Sequence, residues 1–445
     1  LALLKTISQT AYEKHMTLYI VGGFVRDLLL DRPSLDFDLV VEGDAVLLAQ
    51  SLADQFGGRI TSHTRFGTAK WHIAGTRSNL ASSLSARYSQ LENHSIDPSD
   101  LPQSLDLITA RSEFYTHPTA LPTVERGSIK LDLHRRDFTI NTLALRLDGH
   151  HYGELHDHWG GLNDLRQGLV RVLHSLSFVD DPTRMLRAVR FEKRFDFQIE
   201  NRTLDLLYEA RPMLGRVSGD RIRHELDHIL AETNICQMLA RLHELALLSA
   251  IHKSLTWDDW TCSKIKAIQM EEPEDYWALG PSDGEDEKIL ALKQTLSYII
   301  WLIRLPVKHS RSINARLKVS RILAINTVAA CKLRLDLPPL VNASPSQVVT
   351  RLDSVPSTAL YATYLASDDD QEKRVLEKYI TLWKHVTPTI DGHTLRARGL
   401  PPSPDYRVIL GALRDAWLDG KITAPEEEAR LLDELIADLP KEDRS

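Results

Sequence analysis

The sequence predicts an α+β head, a mixed β-sheet with flanking helices, followed by a long all-α remainder. Three observations carry this. Strand-like and helix-like runs alternate up to about Leu147, and strand signals fade after about Leu169. Helical spacing then dominates, over 182–194, 219–231 and most of 235–335. At 445 residues the chain is too long for one ordinary core. The expected division is a head over 1–168 and helical segments over 169–235, 236–355 and 356–445.

Each element of the head has a local reason. Residues 18–22 (LYIVG) read as a buried strand ended by the Gly22-Gly23 pair. Residues 24–30 read as a helix. Residues 35–41 (LDFDLVV) read as a strand leading into the turn Glu42-Gly43-Asp44. Residues 45–56 are amphipathic and helical, 59–74 form a hairpin pattern, and 104–110 form another strand. The stretch 76–103 is Ser-rich and polar without a strong period, which predicts a surface insertion. A second loop, 269–287, is acidic and carries Pro and Gly. The Trp and Tyr residues within 255–276 are expected in the helical core.

Composition narrows the class. Apolar content of 43% and charged content of 26% fit an ordinary globular chain. Cys236, Cys262 and Cys331 are far apart in sequence, which excludes a CxxC zinc site and fits a reducing, cytoplasmic setting. No signal peptide and no membrane-spanning run is apparent. The net charge of −7 argues against coating nucleic acid by bulk charge. The charge is uneven, however. Residues 301–335 hold eight Lys or Arg and no acid, whereas 411–445 hold ten acids and five bases. A basic face on an acidic body suits a bounded RNA footprint, and 311–334 is the candidate.

The chemistry begins with Asp36 and Asp38. Strand residues at i and i+2 share one face, so the two carboxylates sit roughly 7 Å apart. Such a pair can flank two Mg²⁺ ions, which favour carboxylate oxygens, water and substrate phosphates. Upstream lies Gly22-Gly23-Phe24-Val25-Arg26-Asp27. A Gly pair between strand and helix lets backbone N–H groups approach a phosphate, and Arg26 adds a cation. His150, His151, His156 and His158 cluster without the carboxylate or Cys spacing of a standard zinc site.

Five ordered segments then resemble one family. GGFVRDLLLDRPSLDFDLVVEGDA is similar to the first motif of class II tRNA nucleotidyltransferases and bacterial poly(A) polymerases. RRDFTIN (135–141), DHWGGLNDLRQGLVRVL (157–173), DDPTRMLRAVRF (180–191) and VSGDRIRHEL (217–226) resemble the later motifs in the family's order. The resemblance covers 18–230 strongly and weakens toward the C-terminus.

The resemblance implies a nucleotidyltransferase head with helical neck, body and tail. It implies that Asp36 and Asp38 hold Mg²⁺, with Asp106 a third strand carboxylate nearby. Gly22, Gly23, Arg26, Asp27, Arg136, Asp137 and Asn141 would contact phosphate and ribose, although Arg135 is an equal candidate beside Arg136. Asp181 and Arg184 would read the incoming base, with Arg187 and Arg190 clamping the triphosphate. One Asp and one Arg suit the pairing edges of cytosine and adenine, which show an amino donor beside a ring-nitrogen acceptor, and reject uracil and guanine. The implied reaction is addition of C and A from CTP and ATP to the 3′ end of tRNA. Alternatives are A addition alone, a poly(A) polymerase, and an inactive RNA-binding scaffold. The loop 111–133 looks full length, which weighs against CC addition alone. The acidic tail weighs against poly(A) synthesis.

Overall fold

A computed structural model describes residues 1–32, 38–63, 66–88, 96–114, 123–279 and 286–437. It contains two compact units, one formed by 1–217 with 244–250 and the other by 218–243 with 251–445.

The first unit opens with helix α1 (Ala2–Glu13), strand β1 (Thr17–Val21) and helix α2 (Gly23–Leu29). Strand β2 (Asp38–Glu42) leads to helix α3 (Ala45–Phe56). The Asp44 carboxylate caps α3 by accepting from the Val46 and Leu47 amides at 3.0 and 3.1 Å. A hairpin of β3 (Arg59–His63) and β4 (Thr68–His72) follows, then α4 (Arg77–Arg87) and β5 (Ser104–Thr109). The small hairpin β6 (Arg111–Phe114) and β7 (Thr123–Arg126) precedes α5 (Ile129–His134). Strands β8 (Ala144–Arg146) and β9 (Leu155–His156) close a seven-stranded sheet of order β3-β4-β5-β2-β1-β8-β9. The β2–β5 pair is parallel and the other pairs are antiparallel, so the sheet is mixed as the sequence predicts.

Alternation sorts the two faces of this sheet. Ala69, Trp71, Leu105 and Leu107 are buried on one face. The opposite face carries Tyr19, Val21, Val40 and Ile108, which pack with Ile129 and Leu133 of α5. Asp38, Lys70 and Asp106 share this second face by register. One face is therefore part core and part polar site.

The stretch 76–103 departs from expectation. Residues 77–87 form α4, which buries Leu80, Ala81 and Leu84. The i, i+4 pair Leu80–Leu84 supplies a narrow apolar stripe that the surrounding serines obscure in the sequence. Thr6 of α1 donates to the Tyr88 hydroxyl at 3.3 Å. Residues 89–95 lie outside the described residues.

The unit ends with α6 (Gly161–Gln167), the short parallel pair β10 (Leu169–Val170) and β11 (Gln198–Ile199), α7 (Ser177–Asp180), α8 (Arg184–Phe195) and α9 (Asn201–Ala210). Gly161 seats α6, because a Cβ there would lie 2.2 Å from the Thr139 carbonyl oxygen. Among the described residues, strand structure past Leu169 is this two-residue pair and a single bridge from Phe138 to Val172.

The second unit is helical. It contains α10 (Gly219–Leu230) and most of α11 (Ile235–Glu244), whose end leads through α12 (Leu247–Ile251) into α13 (Asp259–Met270). Then follow α14 (Asp286–Leu302), α15 (Val307–Leu317), α16 (Arg321–Leu340), α17 (Pro345–Leu352), α18 (Ser357–Ala366) and α19 (Asp370–Thr381). The last helices are α20 (Gly392–Ala397), α21 (Asp405–Leu418) and α22 (Pro425–Ala437), with a core of Leu395, Ile409, Leu413 and Leu432. Of the aromatic residues expected in the core, Tyr276 is exposed, while its neighbour Trp277 is buried against Tyr361 and Tyr364. No described helix is long and apolar enough to cross a membrane.

Candidate active site

The carboxylates sit on adjacent strands. Asp38 opens β2 and lies opposite Asp106 of β5 in the parallel register. Asp106 in turn lies opposite Lys70 of β4, whose ammonium is 3.2 Å from its carboxylate. Cross-strand partners share a face, so Asp38, Asp106 and Lys70 form one row. Asp36 lies outside the described residues. Among the described residues no three His, Cys, Asp or Glu side chains converge as a metal site, and this includes the histidines of 150–158.

Val21, the last residue of β1, lies opposite Asp38, and the glycine turn follows it directly. Gly22 adopts φ +70°, a left-handed conformation that favours glycine. A Cβ there would lie 2.5 Å from Arg136 Nη1, so glycine also makes room for that guanidinium. Gly23 begins α2 and needs no such conformation.

Three motifs are joined by a buried polar network. Arg26 donates to Asp27 at 2.8 Å and to the Asn141 side-chain oxygen at 2.5 Å. Asn141 donates to Asp137 Oδ1 at 2.8 Å, and Arg187 donates to Asp137 Oδ2 at 2.7 Å through Nε. Arg26, Asp137 and Asn141 are all buried. Burial pushes the Arg26 pKa down, against the raising effect of Asp27. Burial alone would raise the Asp137 pKa. Arg187, the Asn141 amide and Arg184 together overcome it and hold that carboxyl at about 2.

A second buried carboxylate was missed by the sequence reading. Asp132 of α5 is fully buried and accepts from Arg135 Nη2 at 2.8 Å and Arg136 Nη2 at 3.3 Å. It anchors both arginines of RRDFTIN. The signal was the i, i+3 and i, i+4 spacing within LDLHRR, which marks helical neighbours.

The segment DDPTRMLRAVRF spans the junction of α7 and α8. Asp180 ends α7, and Asp181 precedes α8, where it accepts from the Thr183 amide and hydroxyl at 3.0 and 2.6 Å. The helix starts at Arg184, so Pro182 lies before its first turn. Arg184 is buried and donates to Ser177 Oγ at 2.7 Å and to the Arg135 carbonyl at 2.8 Å. Arg187 meets Asp137, and Arg190 is buried beside Phe191. The structure thus brings Arg26, Asp27, Arg136, Asp137, Asn141, Arg184 and Arg187 into one linked cluster. Asp38 and Asp106 form a separate row, reached through the Val21–Gly22 turn.

Linkage gives a test of this cluster. The Asp137 pKa is lower folded than its ordinary 3.8, so its contribution is full above about pH 5 and is lost as pH falls through about 2. Asp137→Asn should cost about 2 kcal/mol at pH 6 in denaturant unfolding, and the deficit should shrink toward pH 3. A deficit independent of pH would contradict an ionised Asp137.

Known proteins match this chain in sequence and in fold. Residues 18–171 match the poly A polymerase head domain, and 196–257 match a probable RNA and SrmB-binding site of polymerase A. An A-adding tRNA nucleotidyltransferase of Halalkalibacterium halodurans is 32% identical over 92% of this chain and 86% of its own length. The corresponding protein of Geobacter sulfurreducens is 32% identical over 97% of this chain, which spans only 46% of that relative. A solved CCA-adding enzyme in an apo form superposes with TM-score 0.74 and 30% identity, covering 98% of this chain and 95% of the other. The chain belongs to the tRNA nucleotidyltransferase family.

Proposed function

We propose that this chain transfers AMP from ATP onto the 3′ end of tRNA and releases pyrophosphate. The observation that carries the reading is the Asp38–Asp106 register beside a buried arginine network joining three motifs. A addition as the last step is supported by two A-adding relatives that match along nearly the whole chain. Full CCA addition is the second reading, favoured by the likeness to a CCA-adding enzyme over 98% of the chain.

The donor set fits Mg²⁺, because Asp38 and Asp106 offer only carboxylate oxygens from one sheet face. Asp36 and Asp38 would hold the ion, with Asp106 beside them. Bound there, Mg²⁺ would neutralise phosphate charge and favour the ionised 3′-hydroxyl. The chain's own residues supply position. Arg26, Arg136, Arg187 and Arg190 offer guanidinium forks that match phosphate oxygens, with the Gly22 turn, Gly23 at the start of α2 and Asp27 within it beside them. Asp137 and Asn141 orient that group and offer acceptors to a ribose. Asp181 would accept from the amino group of adenine or cytosine, and Arg184 would donate to the ring nitrogen. Arg184 reaches a base by exchanging its bond to Ser177 or to the Arg135 carbonyl. Catalysis then rests mainly on positioning and charge neutralisation, as phosphoryl transfer requires.

The RNA contact is proposed for α15 and α16. Arg311, Arg321 and Lys332 line a groove of about 720 Å³ with Ile325 and Val328. All three cations are exposed, so they suit a phosphate backbone.

Asp38→Asn should lower labelled AMP incorporation into a CC-ended tRNA by about a thousandfold, with tRNA binding retained. EDTA should have the same effect and added Mg²⁺ should reverse it. Incorporation by Asp38→Asn at the wild-type rate would sink the assignment. Replacing Arg311, Arg321 and Lys332 together by Ala should reduce the slope of log affinity against log salt by about 2–3. An unchanged slope would remove this groove from the RNA footprint.

A further inference from the structure

Two phenyl rings lie where the motifs meet. Phe191 and Phe195, one turn apart on α8, stack with centroids 5.8 Å apart and planes at 18°. Both are buried, and Phe138 of RRDFTIN meets Phe191 edge-on at 5.7 Å. The Arg26 guanidinium carbon lies 4.5 Å from the Phe195 centroid and 5.2 Å from that of Phe191. Arg187 and Arg190 lie 5.6 and 5.5 Å from the Phe191 centroid. Phe191 therefore touches one arginine of the glycine-turn motif and two of the base-reading motif.

A guanidinium that bonds to a single carboxylate oxygen, as Arg187 does to Asp137 Oδ2, can tilt about that contact. An aromatic face restricts that plane and attracts the cation, most strongly where water is excluded. Clustered arginines also repel one another, and the negative ring face offsets part of that repulsion without occupying an N–H donor. Asp27 and Asp137 offset it too, at Arg26 and Arg187, but they occupy donors that a phosphate would use.

We propose that Phe191 and Phe195 are positioning residues whose stacked faces fix the guanidinium planes of Arg26, Arg187 and Arg190 for the nucleotide triphosphate. This rests on the nucleotidyltransferase reading. The rings touch no reacting atom and act through the arginines. Their effect is on ATP capture rather than on the transfer step.

The test is steady-state AMP incorporation into CC-ended tRNA by wild type, Phe191→Leu, Phe191→Tyr and Phe195→Leu. Phe191→Leu should raise the KM for ATP about tenfold, with kcat within about threefold of wild type. Phe191→Tyr keeps the ring face and should stay within about threefold of the wild-type KM. A Phe191→Leu enzyme with wild-type KM, one that loses only kcat, or a Tyr variant as impaired as Leu would overturn the proposal. If Phe191→Leu fails to fold, Phe195→Leu must raise the KM while Phe191→Tyr does not. Should wild type incorporate nothing, the nucleotidyltransferase reading fails. ATP affinity by calorimetry then judges the rings by the same comparison.

Discussion

Asp137 could not stay ionised in a buried setting without the groups that meet it. Arg187 holds one oxygen and Asn141 the other, and Asn141 passes the connection to Arg26. Removing one partner leaves the other charge uncompensated, at a cost of about 2 kcal/mol for the Asp137 carboxylate. The constraint is therefore mutual. The same bonds tie each motif to the other two. The glycine turn, the RRDFTIN turn and the start of α8 come from distant parts of the chain, and this network fixes them as one polar surface.

The sheet imposes a second constraint. Register sets Asp38 and Asp106 side by side on parallel strands, with Lys70 next in the row. The same face buries Val21 opposite Asp38, and Tyr19 and Val40 farther along. A one-residue slip in β2 would carry Asp38 onto the opposite face, among the buried Ala69, Trp71, Leu105 and Leu107. Hydrophobic burial thus fixes the position of the carboxylates, and the chemistry benefits from a register that packing already enforces.

Much of this was legible in the sequence, for identifiable reasons. The strands around LYIVG and LDFDLVV follow from dense apolar runs bounded by glycine, and their period places Asp38 on a definite face. The residues of RRDFTIN and DDPTRMLRAVRF were reached through the family resemblance of those segments. What was hidden depends on contacts across the chain. Asp132 reads as an ordinary helix acid until Arg135 and Arg136 turn back onto it. Helix α4 was hidden because its stripe is three residues wide in a serine-rich stretch. The bonds from Thr183 that hold Asp181 in the turn before α8 are likewise visible only in the structure.

The proposed addition of the terminal A to tRNA is tested most directly by extension of three tRNA transcripts, ending before CCA, at C and at CC, with ATP alone, CTP alone and both. Growth of the CC-ended transcript by one A, and of neither other, is expected. Growth of all three to CCA would establish full CCA addition instead. No extension of any transcript would contradict nucleotide addition by this cluster.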